Sequence, residues 1–354
     1  MQARIMVSPL PEDVRALKLL TAQYFQLVEP KFLSIPPNHV LVKPDIQESL
    51  YQDLFNEKTV WPLPPVNYRA RVLKLLLTKI EESVQDPEED EISDNLMTCY
   101  SDLMSCPRPS PLEEAQALYH VRYTPPGLSR GKDRQSIMTL ENRGLILSSG
   151  TTGFRTWEAA LHLGTFLSTP EGRALVHGKN VIELGAGTGL LSMYCAKYLG
   201  AESVAATDRE PALITNIQNC LAKNNIQSGK VEALIWDWGT PLISNSDSSS
   251  SEHFKRTHYD IALGADLIYD ADLVPLLVST VRDLFDNYGV TVFLISATIR
   301  NETTFATFLK ACETNSLDIC LLNFQTSPRE TQDGFFYSTD VPIRIYEISR
   351  SSGV

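Results

Sequence analysis

Apolar positions along this chain recur with two periods, and the change falls near residue 130. Val14, Leu17, Leu20, Tyr24 and Leu27 stand three or four apart, with Glu12 and Asp13 near the start. That is the spacing of one helix face, with acids where a helix N-terminus favours them. The same spacing returns in SLYQDLFNEK and in YRARVLKLLLTKIEESV, which predict two more amphipathic helices. The acidic run DPEEDEISD (86–94) reads as a solvated loop before NLMTCYSDLM. CPRPSP (106–111) reads as a proline-punctuated turn, and LEEAQALYHV as a further short helix. No strand alternation is expected in this region. Residues 1–130 are therefore expected to form a helical N-terminal domain, for substrate recognition or stabilisation.

From about residue 135 the pattern becomes strands alternating with helices, the mark of a parallel α/β sheet. NVIELGAG, SVAATD and KVEALIWDW are three strands, the first two followed by the helices GLLSMYCAKYLG and EPALITNIQNCLAKNN. SNSDSSSSEH (244–253) is a low-complexity surface loop. YDIALGADLIYD and VTVFLISAT flank the helix DADLVPLLVSTVRDLF, and TTFATFLKAC leads to LDICLLNF and PIRIYEIS. These are seven strand candidates. The last two have no helix between them, so an antiparallel pair is expected at one sheet edge.

Charge narrows the function classes. The net charge of −12 makes the chain a poor binder of phosphate backbones and suits it to a basic peptide or protein surface. No direct nucleic-acid partner is expected. The six cysteines lack any Cys-x-x-Cys pair and the six histidines lack ligand spacing, so reduced thiols and no metal site are expected. The first 20 residues carry acids by position 12 and no long apolar run, unlike a signal peptide, and no stretch approaches a membrane span. A soluble cytoplasmic monomer without membrane contact is the expectation.

VIELGAGTGL carries the most chemistry. Gly185, Gly187 and Gly189 lie on a strand-to-helix turn, where absent side chains let a ligand approach backbone and helix N-terminus. The dinucleotide fingerprint requires a glycine where this chain has Leu190, and the Gly-Lys-Ser/Thr of a P-loop is absent. Glu183 would repel a pyrophosphate but suits a cation. Asp208 closes the next strand, 25 residues on, where an acid can take two ribose hydroxyls. Asp237, between Trp236 and Trp238, can take an adenine amino group, with indole faces for packing. A cationic ligand bearing ribose and adenine is S-adenosylmethionine. A nicotinamide-type fold with a degenerate fingerprint is the alternative.

These segments resemble motif I and its following acid in class I (seven-β-strand) methyltransferases, a likeness spanning roughly 150–350. TTGFRTWEAALHLGTFL (151–167) is similar to the segment before motif I in that superfamily's protein-lysine methyltransferases, and DLIY (266–269) to their Asp-x-x-Tyr signature. The resemblance implies a Rossmann-like seven-stranded, mostly parallel sheet over 131–354 with S-adenosylmethionine as cofactor. It implies Trp157, Glu183, Gly185, Gly187, Asp208, Asp237, Trp238 and Ala265 around the cofactor, and Asp266 and Tyr269 at the acceptor. With the helical extension and WDWG, the layout is most similar to the elongation factor 2 lysine methyltransferases, which implies elongation factor 2 as protein substrate.

Each residue also has a plainer reading. Asp266 could cap the following helix, Tyr269 could be a core phenol, Glu183 a structural acid, and Trp157 and Trp238 simple packing. Two other functions stay open. One is a nucleic-acid amino-methyltransferase, whose Asn/Asp-Pro-Pro-Tyr/Phe motif has prolines where this chain has Leu267 and Ile268. The other is a non-catalytic cofactor-binding module.

Overall fold

The structure, a computed structural model, describes residues 12–85, 91–127, 135–145, 151–242 and 258–351. The loop expected at 244–253 and most of the acidic run at 86–94 lie outside the described residues. The chain divides into two compact units: residues 1–136 with 142–145 and 330–336, and residues 137–141, 146–329 and 337–354.

The first unit is built on helices α1 (Glu12–Phe25), α2 (Asn38–Leu41), α3 (Pro44–Leu50), α4 (Val66–Glu81), α5 (Asp94–Ser105) and α6 (Pro111–Gln116). After α3 the chain continues through a wider π-type turn, Tyr51–Phe55, so the predicted helix there is interrupted. Leu20, Tyr24 and Phe25 of α1 join Leu73, Leu76 and Ile80 of α4 in one apolar core, where the Tyr24 hydroxyl donates to the Leu54 carbonyl at 3.0 Å. The segment 330–336 returns to this unit, the Phe336 amide donating to Gln26 Oε1 at 3.0 Å.

One expectation is corrected here. LEEAQALYHV is not a single helix: α6 stops at Gln116 and strand β1 (Leu118–Tyr123) follows. A capping box of Ser110 and Glu113 fixes the helix start, whereas Tyr119, Val121 and Tyr123 alternate with His120 and Arg122 at strand period. Val121 and Tyr123 are buried, and that period-two burial overrides the weak helical pattern.

The second unit begins with β2 (Ile137–Asn142), of which only Asn142 falls in the first unit, and contains a seven-stranded sheet. Helices α7 (Glu158–Leu167) and α8 (Pro170–Val176) precede β3 (Asn180–Leu184). Then come α9 (Leu190–Tyr194), β4 (Ser203–Asp208), α10 (Pro211–Lys223), β5 (Val231–Ile235), β6 (Ile261–Ala265) and α11 (Val274–Asn287). Last are β7 (Val292–Thr298), α12 (Glu302–Thr314), β8 (Leu317–Leu321) and β9 (Ile343–Arg350).

The sheet order is β5-β4-β3-β6-β7-β9-β8, parallel as far as β7, with β9 antiparallel to both β7 and β8. This is the Rossmann-like seven-stranded sheet with the expected antiparallel edge pair. Its order reverses between β3 and β6, and ligands of such sheets bind beyond the strand ends at that switch. Helix α11 starts at Val274 rather than near Asp270, with Pro275 in its first turn, where a missing amide costs no hydrogen bond.

Candidate active site

Beyond the C-terminal ends of β3, β4, β5 and β6 lies a cavity of about 580 Å³. All ten site residues expected from sequence line it: Trp157, Glu183, Gly185, Gly187, Asp208, Asp237, Trp238, Ala265, Asp266 and Tyr269. One side is the glycine turn. Gly185, Gly187 and Gly189 have φ of 58°, 53° and 75°, backbone that residues with a Cβ rarely adopt. A Cβ on Gly187 would come within 3.0 Å of the Gly153 carbonyl oxygen, so the turn and the segment before α7 approach backbone to backbone.

The acids hold this turn from beneath. Asp208 accepts the Gly187 amide at 3.0 Å and the Glu210 amide at 3.2 Å. Burial raises its carboxyl pKa, and those amides oppose the rise. Glu183 is only 3 % exposed and accepts both the amide (2.9 Å) and the hydroxyl of Ser192 in α9. Burial pushes its pKa up to about 7 against those hydrogen bonds, with the charge of Asp208 adding to the rise. A cation beside two such acids would relieve this cost.

Asp266 follows β6 with φ of 56°, a left-handed conformation that Asp tolerates better than most residues. The turn aims its carboxylate at the end of β7, where Oδ1 accepts the Thr298 amide at 2.9 Å and Oδ2 the Thr298 hydroxyl at 3.1 Å. Both Nη atoms of Arg300 also donate to Oδ2, at 3.1 and 3.2 Å. Burial raises the Asp266 pKa, opposed by Arg300 and Thr298. It does not cap α11, which begins eight residues later. Tyr269 is 60 % exposed, so it is no core phenol; partial burial and then the charge of Asp208 raise its pKa.

Sequence reasoning missed the charged residues around Trp157. Trp157, just before α7, has the Arg155 guanidinium 4.9 Å and that of Arg300 5.2 Å from its ring centre. Glu158 lies 3.6 Å from Arg155 and 3.3 Å from Arg300. Beneath it, buried Glu141 accepts the hydroxyls of Thr139 (2.6 Å) and Thr156 (2.7 Å), and Thr156 contacts the Thr188 hydroxyl at 2.7 Å in the glycine turn. Arg155 and Glu158 flank Trp157 in sequence and could have been noticed. Arg300 stands 34 residues from Asp266, and only the β6–β7 pairing joins them.

The cavity suits S-adenosylmethionine. The buried Nε of Arg155 has no hydrogen-bond partner among the described residues, and a ligand carboxylate would supply one. Glu183 meets the positive charge, and Asp208 stands where a ribose would lie. Among the described residues no cluster of three or more His, Cys, Asp or Glu could hold a metal, and no helix is long and apolar enough to cross a membrane.

Comparison with known proteins agrees with this geometry. A family profile described as lysine methyltransferase matches residues 135–315. The chain is 41 % identical over 330 residues to the protein-lysine N-methyltransferase EFM3 of Chaetomium thermophilum, covering 93 % of this chain and 96 % of that one. It is 28 % identical over 311 residues to the EFM3 of Saccharomyces cerevisiae (80 % and 85 %). Against the protein N-lysine methyltransferase METTL21A of Danio rerio it is 34 % identical over 184 residues, covering 50 % of this chain and 77 % of that one.

Proposed function

The chain belongs to the lysine methyltransferase family, and from that premise we propose that its acceptor is a lysine of translation elongation factor 2. It is an S-adenosylmethionine-dependent protein-lysine N-methyltransferase. The choice of acceptor rests on the helical N-terminal unit. The similarity to the EFM3 enzymes runs through that unit, whereas the METTL21A match covers half the chain. The unit's role in this reading is to recognise the protein substrate, and the chain's net charge of −12 suits a basic one.

The observation that carries the site is the convergence of all ten residues on one cavity at the switch point of the sheet. S-adenosylmethionine supplies a methyl group on a positively charged sulfur, transferred in line as the acceptor nitrogen forms a bond to carbon and the carbon–sulfur bond breaks. The chain's own task is alignment and control of protonation. Trp157, Glu183, Gly185, Gly187, Asp208, Asp237, Trp238 and Ala265 hold the cofactor. Glu183 brings negative charge to its cationic side, Asp208 takes the ribose hydroxyls, and Arg155 takes its carboxylate.

The acceptor must arrive without its proton. Taking a lysine from pKa about 10.4 to neutral at pH 7 costs about 4.6 kcal/mol. Partial desolvation and the nearby positive sulfur push that pKa down. Tyr269 offers an aromatic face at the cavity mouth, which favours a methylated ammonium by roughly 0.5–2 kcal/mol and permits repeated transfer. Asp266, already held by Thr298 and Arg300, orients the acceptor and is not a general base. Asp266→Ala is expected to abolish methylation while cofactor affinity, read by calorimetry, changes less than about threefold. Equal collapse of both would place Asp266 in the cofactor site instead.

A further inference from the structure

Asp266 does not face the cavity as a bare carboxylate. Its oxygens accept four hydrogen bonds, two from Thr298 and two from the Arg300 guanidinium, which is the pattern of an anion with no proton of its own. Arg300 lies with its guanidinium 5.2 Å from the Trp157 ring centre and also gives Nη2 to Glu158. Arg155 completes the group from the other contact of Glu158. Two acids and two bases from the turn after β6, α7, the segment before α7 and the loop after β7 thus balance one another. The other charged or titratable groups lining the cavity are Glu183 from β3, Asp208 from β4, Arg209 beyond β4, Asp237 beyond β5, and Tyr269 beyond β6.

The balance matters because an uncompensated carboxylate within about 4–6 Å of an amine raises its pKa by about 1–3 units. A free Asp266 would attract the acceptor lysine and keep it protonated. We propose that Arg300 is a positioning residue for methyl transfer, occupying the Asp266 carboxylate so that it orients the entering amine without holding the proton on it. This rests on the reading that the acceptor enters beside Asp266 and Tyr269. Arginine suits the task because one planar fork reaches Asp266 and Glu158 while lying near an indole, which a lysine ammonium cannot match.

A clamp with a purely structural role would lower the rate equally at every pH, and this separates the two. The full-length wild type, Arg300→Met, Arg300→Lys and Asp266→Asn are assayed with elongation factor 2 at saturating cofactor from pH 6.5 to 10. Binding of S-adenosylmethionine is measured in parallel by calorimetry. Arg300→Met is expected to move the midpoint of the pH–rate profile up by about one unit. Its deficit, about tenfold near pH 7, closes at high pH while cofactor affinity stays within about threefold. Arg300→Lys recovers part of the shift. If Asp266→Asn is inactive and Arg300→Met loses rate by one factor throughout, or loses cofactor affinity in proportion, the role of Arg300 is overturned and that of Asp266 stands. If Asp266→Asn methylates at the wild-type rate, the reading of Asp266 falls and this inference with it.

Discussion

At the scale of single residues, Glu183 makes the clearest pH-dependent statement. Burial raises its folded pKa to about 7 from an ordinary 4.5. Its neutral form therefore stabilises the fold fully below about pH 4.5, and that contribution is lost as pH rises through about 7. The span corresponds to something on the order of 3 kcal/mol. Urea unfolding of the cofactor-free protein should show stability falling between about pH 4.5 and 7, and Glu183→Gln should flatten that fall. The same ionisation favours a cationic ligand. S-adenosylmethionine should bind more tightly as pH rises through 7, while its uncharged-sulfur product S-adenosylhomocysteine should show a weaker trend. Equal trends for both would mean that Glu183 does not sense the sulfur. Glu183, Asp208 and Asp266 were legible in the sequence because an acid closing an apolar strand is conspicuous. Arg300 was not, since its meaning comes from a partner in the turn beyond a neighbouring strand.

At the scale of elements, the strand ends and the glycine turn place the chemistry. Gly187→Ala should damage both, because its φ of 53° strains any side chain and the added Cβ would press on the Gly153 carbonyl. Cofactor affinity should fall by about tenfold or more, with stability reduced by about 1–3 kcal/mol. Unchanged calorimetric binding would show that the turn has room to spare. All seven sheet strands and the edge pair could be read from the chain, since their apolar runs are bounded by glycine and by charge. The strand after α6 could not. Its alternation spans only Tyr119 to Tyr123 and directly follows a helical stretch, so local periodicity gave two answers and burial chose between them.

At the scale of the whole molecule, the catalytic unit and the helical unit have separate expected duties. Met97 and Met104 stand seven apart on α5, hence on one helix face, and each is 48 % exposed. Flexible, polarisable side chains of this kind adapt to a protein partner. Replacing both by serine should raise KM for the protein acceptor by about fivefold, on the order of 1 kcal/mol, and leave cofactor affinity unchanged. A KM equal to wild type would remove this face from the recognition surface.

The central claim is that a lysine of elongation factor 2 receives the methyl group. The most direct measurement incubates the full-length protein with labelled S-adenosylmethionine and purified elongation factor 2, then maps the label by peptide mass spectrometry. Methyl groups on a lysine side chain of elongation factor 2, absent with Asp266→Ala, are the predicted result. No label on that protein, or label on RNA in a cell extract, would contradict it.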